Sequence, residues 1–143
     1  MKKLAIHTLA LIFALPVLAD GHASGDAEAG EKAYRKCKSC HAVTNADGEV
    51  LVKGGRTGPN LYGLVGRALG SDENFKKYRK SIAAAGEAGT TWDEEQFMAY
   101  VKDPSAYLKT LLDDPGAKSG MSFKLKKPED AANIWAYLVK LSE

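Results

Sequence analysis

The sequence predicts an all-α domain of several short helices joined by long loops, and three observations lead there. Capped amphipathic stretches recur along the chain, while no stretch sustains the period-2 alternation of a strand. Residues 42–70 carry glycines at 48, 54, 55, 58, 63, 66 and 70 and a proline at 59. A compact domain tolerates so long a span without regular structure only where something besides side chains supplies its core. The pentapeptide Cys37-Lys38-Ser39-Cys40-His41 indicates what that is. Two thiols spaced to bond the vinyl groups of a porphyrin, followed at once by an imidazole for its iron, make the pattern of c-type haem attachment. The expected architecture is helices and loops wrapped around one covalently attached haem.

Met1-Lys2-Lys3 is a basic head and Leu4 to Leu18 an apolar run, and Val17-Leu18-Ala19 and Gly21-His22-Ala23 each offer small residues for cleavage. Residues 1–23 therefore read as a secretory signal peptide cut after Ala19 or Ala23, and residues 24–143 as the domain. A membrane anchor is the alternative, but His7, Thr8 and Pro16 interrupt the run, which falls short of the ~20 apolar residues of a spanning helix. About 120 residues remain, enough for one domain with a modest core.

The formal charge of +2 belongs to the whole chain; without Lys2 and Lys3, 18 basic residues face 18 acidic ones. Their distribution is uneven. Arg35, Lys36 and Lys38 crowd the cysteines, Lys76, Lys77, Arg79 and Lys80 form a second group, and Lys124, Lys126 and Lys127 a third. Acidic residues gather at Asp93-Glu94-Glu95 and Asp113-Asp114. Such asymmetry can steer docking to an acidic partner, although an ordinary solvated face explains any single lysine equally well. Balanced charge and the lack of a recognisable motif argue against nucleic-acid binding.

Asp26 caps a helix with acid in its first turn, expected to run to about Lys38 and deliver Cys37. Gly30 costs that helix ~1 kcal/mol relative to alanine, which points to a close backbone crossing. Thr57-Gly58-Pro59-Asn60-Leu61 reads as a loop against the cofactor, with Leu61 and Leu64 adding apolar contacts. Lys80 to Ala85 is a short helix that Gly86 ends. Thr91-Trp92-Asp93-Glu94 reads as a capping box opening a helix with Phe97, Tyr100 and Val101 on one face, stopped by Pro104. Ser105 to Leu112 makes another turn or two before the turn residues Asp113-Asp114-Pro115-Gly116. Pro128 starts a last helix with Ala131, Ile134, Leu138 and Leu141 at helical spacing.

Other uses of the CxxC are poorer. A zinc site needs further ligands, and no cysteine exists beyond the motif. A thioredoxin-like pair follows a strand, whereas the residues before Cys37 read as helix. For the iron's other face, His7 and His22 lie in or at the signal, which leaves His41 as the only histidine of the domain and argues against a second imidazole. Met98 and Met121 remain. Met98 falls within a helix, while Met121 lies on a loop behind Gly120, a better place from which to reach a haem face; the residues alone leave the choice open.

With these residues in view, the chain resembles class I c-type cytochromes, and most closely the bacterial cytochromes c2, relatives of mitochondrial cytochrome c. The likeness spans Gly25-Asp26 to the last helix. It rests on Cys37-Lys38-Ser39-Cys40-His41, Thr57-Gly58-Pro59-Asn60-Leu61, Tyr100-Val101-Lys102-Asp103-Pro104 and Lys118-Ser119-Gly120-Met121-Ser122-Phe123. It implies the cytochrome c fold, one haem c bonded to Cys37 and Cys40, and His41 and Met121 as axial ligands. Pro59 looks like the residue whose carbonyl accepts from His41 Nδ1. Tyr78 and Trp92 are similar in position to residues that bond a buried propionate, with Arg67 nearby to offset its charge. Tyr100 looks like the tyrosine beside the methionine sulfur, and Ser119 stands where the family has a hydroxyl near the same propionate. Gly30 and Tyr34 resemble the surface that crosses the last helix at Ile134 and Tyr137. Core filling is the plainer role for Tyr62 and Tyr107. The loops 46–56 and 108–118 are longer than in mitochondrial cytochrome c, so docking lysines are not assigned singly.

The resemblance implies a monomeric periplasmic carrier of single electrons, not an enzyme. Its donor would be a cytochrome bc1 complex and its acceptor a photosynthetic reaction centre or cytochrome oxidase, met transiently through lysines near the haem edge. Two rivals are a haem enzyme with an open iron face, which requires Met121 not to bind, and a sensor or fixed subunit of one complex.

Overall fold

A computed structural model of the chain describes residues 23–143; the expected signal peptide, all but Ala23, lies outside the described residues. Five helices and one hairpin follow in order: α1 Ala27–Ala33, β1 His41–Thr44, β2 Val50–Arg56, α2 Lys80–Glu87, α3 Glu94–Lys102, α4 Pro104–Leu111 and α5 Pro128–Lys140. A 3-10 turn over Tyr34–Lys36 continues α1 towards the cysteines. Among the described residues no helix is long and apolar enough to cross a membrane.

The frame is a crossing of α1 on α5, with α3 packed beside α5 and followed by α4. Asp26 caps α1, its carboxylate accepting the N–H of Ala29 at 2.7 Å. Gly30 is where the two backbones meet. A Cβ there would lie 1.9 Å from the Asn133 carbonyl oxygen and 2.8 Å from Tyr137 Cβ, so α5 approaches closer than any side chain allows. One turn on, Tyr34 is fully buried with its ring 5.7 Å from that of Tyr137. Ile134, Trp135 and Leu138 fill the other side of α5, Trp135 against Phe97 of α3. Every buried residue of the described chain is apolar, aromatic, glycine or proline.

Three local expectations need correction. The span 42–70 is not loop throughout, because β1 and β2 pair antiparallel with Val43 opposite Val52, both buried. The two strands turn at Asn45, whose side-chain oxygen accepts the N–H of Asp47 at 3.1 Å and of Glu49 at 2.8 Å. Bulges on either side of Val43 break the alternation that would have marked a strand. Second, α2 does not stop at Gly86 but continues to Glu87, with Gly89 in the left-handed region after it at φ +94°. Gly86 serves a different end: a Cβ would lie 1.9 Å from the Leu69 carbonyl oxygen. Third, α3 begins two residues later than a Thr91 cap requires. Asp93 is its cap, accepting the N–H of Gln96 at 2.7 Å, while Thr91 bridges to Ala68.

Asp103 closes α3 and opens α4, accepting the N–H of Ala106 at 3.1 Å with Pro104 at the first helical position. Pro104 and Leu108 are buried, and α4 then gives way to Asp113 at φ +48° and the turn that leads to the Met121 segment. Two of the expected basic groups are engaged, Lys36 with Asp130 at 2.5 Å and Lys124 with Asp103 at 2.6 Å.

Candidate functional site

The 3-10 turn brings the chain round at Cys37, and the Cys37 carbonyl accepts both the N–H of Cys40 at 3.0 Å and that of His41 at 2.9 Å. This turn presents the two sulfurs and the imidazole within one stroke of chain. Cys37 is half-buried against the core; Cys40 is exposed and lines a cleft. Burial pushes the Cys37 thiol up to about 11, while hydrogen bonds from Thr57 and Ser39 pull that of Cys40 below its ordinary value.

His41 starts β1, and its ring is fixed from the loop that follows β2. Its Nδ1 lies 2.8 Å from the Pro59 carbonyl oxygen, so that nitrogen carries the proton and donates. Nε2 is left as the free lone pair. Burial holds the imidazole below its usual range, the Pro59 bond offsetting part of the effect. A neutral ring of fixed tautomer is the form that ligates a metal. Gly58 lies flat against it: a Cβ there would stand 2.2 Å from Cε1 and 2.6 Å from Nδ1. Asn60 locks the same loop to the hairpin, accepting the Thr44 N–H at 3.0 Å and donating to the Thr44 carbonyl at 2.7 Å.

The cleft has about 1110 Å³ of empty space, counting the part open to solvent, and its lining is mostly apolar. Leu61, Leu64, Phe75, Ile82, Phe97 and Val101 line it together with His41, Cys40, Pro59, Arg67, Tyr78, Trp92, Tyr100 and Met121. Met121 thus shares one cavity with His41 although 80 residues separate them in sequence. Met98 does not line it and packs against the core elsewhere.

Arg67 bonds backbone, donating from Nη1 to the Tyr62 carbonyl at 3.1 Å and from Nη2 to that of Asn60 at 2.8 Å. Burial raises the Tyr78 phenol, an effect the Arg67 charge partly opposes. Trp92 is buried with its ring edge-on to Tyr100 at 5.2 Å. The Tyr100 hydroxyl lies 2.7 Å from Ser119 Oγ, which also accepts the Met121 N–H at 3.0 Å. Ser119 itself does not line the cleft. Tyr107 packs edge-on to Tyr100 and donates to Gln96 on α3. Residue-by-residue reading missed Gly58, Asn60, Phe75 and Ile82. The first two stood inside a recognised motif, but only the hairpin's path reveals what they touch.

A cleft with this lining fits a large flat apolar group bonded at the CxxC turn. Both sulfurs sit on the turn, the one unprotonated imidazole nitrogen lies at the wall, and no buried polar side-chain atom of the described residues lacks a partner. A single-domain helical frame built around such a compartment is the plan of a class I c-type cytochrome.

No family model matches the chain. Individual relatives do. Cytochrome c2 of Rhodobacter capsulatus is 52% identical over 132 residues, covering 92% of each chain. Cytochrome c2 of Cereibacter sphaeroides is 45% identical over 139 residues, 96% of this chain and 94% of that one. The crystal structure of cytochrome c2 from Rhodobacter sphaeroides superposes with a TM-score of 0.81 at 47% identity, over 82% of this chain and 97% of that one. The chain belongs to the cytochrome c2 family. It is accordingly an electron-transfer protein rather than an enzyme, with one covalently attached haem c.

Proposed function

We propose that the protein is a soluble periplasmic carrier of single electrons between membrane complexes, with residues 1–23 as the export signal. Cys37 and Cys40 hold the haem through thioether bonds, and His41 and Met121 are its axial ligands. The observation that carries this reading is that His41, with Nδ1 committed to Pro59 and Nε2 free, and Met121 line one apolar cleft. An imidazole and a thioether together fill the iron's coordination and raise its potential relative to two imidazoles, so the group supplies one-electron exchange when bound.

The chain's own residues do the rest. Pro59 keeps the His41 ring turned and its Nε2 basic. Leu61, Leu64, Phe97 and Val101 exclude water, lowering the local dielectric and favouring the less charged ferrous state. Tyr78 and Trp92 carry the polar tips that would bond a propionate, and Arg67, on the same wall, balances its charge. Ser119 and Tyr100 hold each other beside Met121.

A cytochrome bc1 complex is the proposed donor, and a photosynthetic reaction centre or cytochrome oxidase the acceptor, each met briefly through lysines near the haem edge. With purified holoprotein, a bc1 complex supplied with quinol should reduce it and one of these acceptors reoxidise it, at rates that fall steeply as salt rises. Turnover with neither kind of acceptor, or rates indifferent to salt, contradicts the carrier reading.

A further inference from the structure

The segment that carries Met121 is pinned at both ends. Ala117 and Leu125 are buried, and the Leu125 N–H donates to the Val101 carbonyl at 2.7 Å. Between them the chain has no helix or sheet to take its N–H groups, which must find other acceptors. Serines take three of them. Ser81 Oγ on α2 accepts the Lys118 N–H at 3.1 Å, Ser105 Oγ on α4 accepts the Ser119 N–H at 3.1 Å, and Ser119 Oγ accepts the Met121 N–H.

These bonds are not equivalent. Ser81 secures an exposed residue at the edge of the segment. Ser105 secures the backbone of Ser119, whose own hydroxyl then holds both the Met121 N–H and the Tyr100 phenol. Immediately after comes Gly120, with open room around it: the nearest atom to a Cβ there would be Arg79 Cγ at 3.7 Å. A glycine in open space resists no pivot by itself, so the approach to Met121 depends on the two anchors of Ser119: its N–H, which Ser105 accepts, and its hydroxyl, which meets Tyr100 and the Met121 N–H.

We infer that Ser105 is a positioning residue for Met121: its hydroxyl holds the segment closed and sets how readily the thioether leaves the iron. This rests on Met121 being the axial ligand. Ser105 acts only through the Ser119 backbone, which distinguishes it from the residues that touch the cofactor.

Imidazole can bind the ferric holoprotein only where Met121 has left, so its affinity reads that release. Ser105→Ala should bind imidazole about five-fold more tightly than the unsubstituted protein, the effect of one lost hydrogen bond, and its Ser119 amide should exchange hydrogen faster by a similar factor. Ser105→Thr, which keeps the hydroxyl, should bind as the unsubstituted protein does. The matched control is Ser142→Ala, which removes a hydroxyl that accepts the Gly63 N–H at 2.9 Å in another segment and should leave imidazole affinity unchanged. Equal affinity in Ser105→Ala and the unsubstituted protein overturns the inference while Met121 remains the ligand. So does an equal gain in Ser142→Ala, which makes the effect one of general stability. If the unsubstituted ferric protein lacks the far-red band of thioether ligation before imidazole is added, the axial reading itself fails, and this inference with it.

Discussion

His41 is defined by what surrounds it more than by its place after Cys40. The Pro59 carbonyl fixes one ring nitrogen, and Gly58 leaves the space in which the ring can lie flat. A methyl group at 58 would stand 2.2 Å from Cε1, and the ring cannot turn aside without losing Pro59. Gly58→Ala should therefore destabilise the holoprotein by about 2 kcal/mol, the scale of overpacking in a tight site. Guanidinium unfolding measures it; a loss below about 0.5 kcal/mol would mean that the loop yields without cost. The proposed ligands stand out in the sequence because their chemistry is rare: three histidines and three methionines leave few choices once the signal is set aside. Gly58 and Asn60 do not, because glycine and asparagine serve many ends, and only the pairing of β1 with β2 brings 58–60 over 41–44.

At the scale of elements, the crossing of α1 on α5 carries the turn that presents the cysteines. Its tightness is set at Gly30. Alanine there would gain about 1 kcal/mol of helix propensity, yet its Cβ would stand 1.9 Å from the Asn133 carbonyl oxygen. Repulsion between two backbones should win, and Gly30→Ala should lose about 2 kcal/mol net in denaturant unfolding. Stabilisation by the variant would show that the crossing is loose. The sequence signalled this crossing because a glycine in a capped helix is costly and needs a reason. Gly86 carries the same signal but reads as a stop, since it stands near a helix end where glycine usually terminates. The Thr91 cap failed for a related cause. Thr91 and Asp93 are both good capping residues two positions apart, and the bridge from Thr91 to Ala68 decided between them. The hairpin escaped notice because its bulges break the period on which strand reading depends.

Over the whole molecule, an apolar cleft takes the place that a larger core would fill. Short helices suffice because the cofactor adds buried surface to the modest core that about 120 residues provide. On the proposed reading the same economy ties stability to function, since the residues that line the cleft would also tune the iron. At the cleft edge the Met121 segment is held by polar groups, at Tyr100, Ser119 and Ser105. The central claim is that Met121 completes a closed six-coordinate iron, which leaves electron exchange as its chemistry. The reduction potential of the Met121→Ala holoprotein tests it most directly. Covalent haem should be retained and the potential should fall by more than about 0.1 V, well inside the ≈ 0.8 V that axial ligands command. An unchanged potential would remove Met121 from the iron and contradict the account.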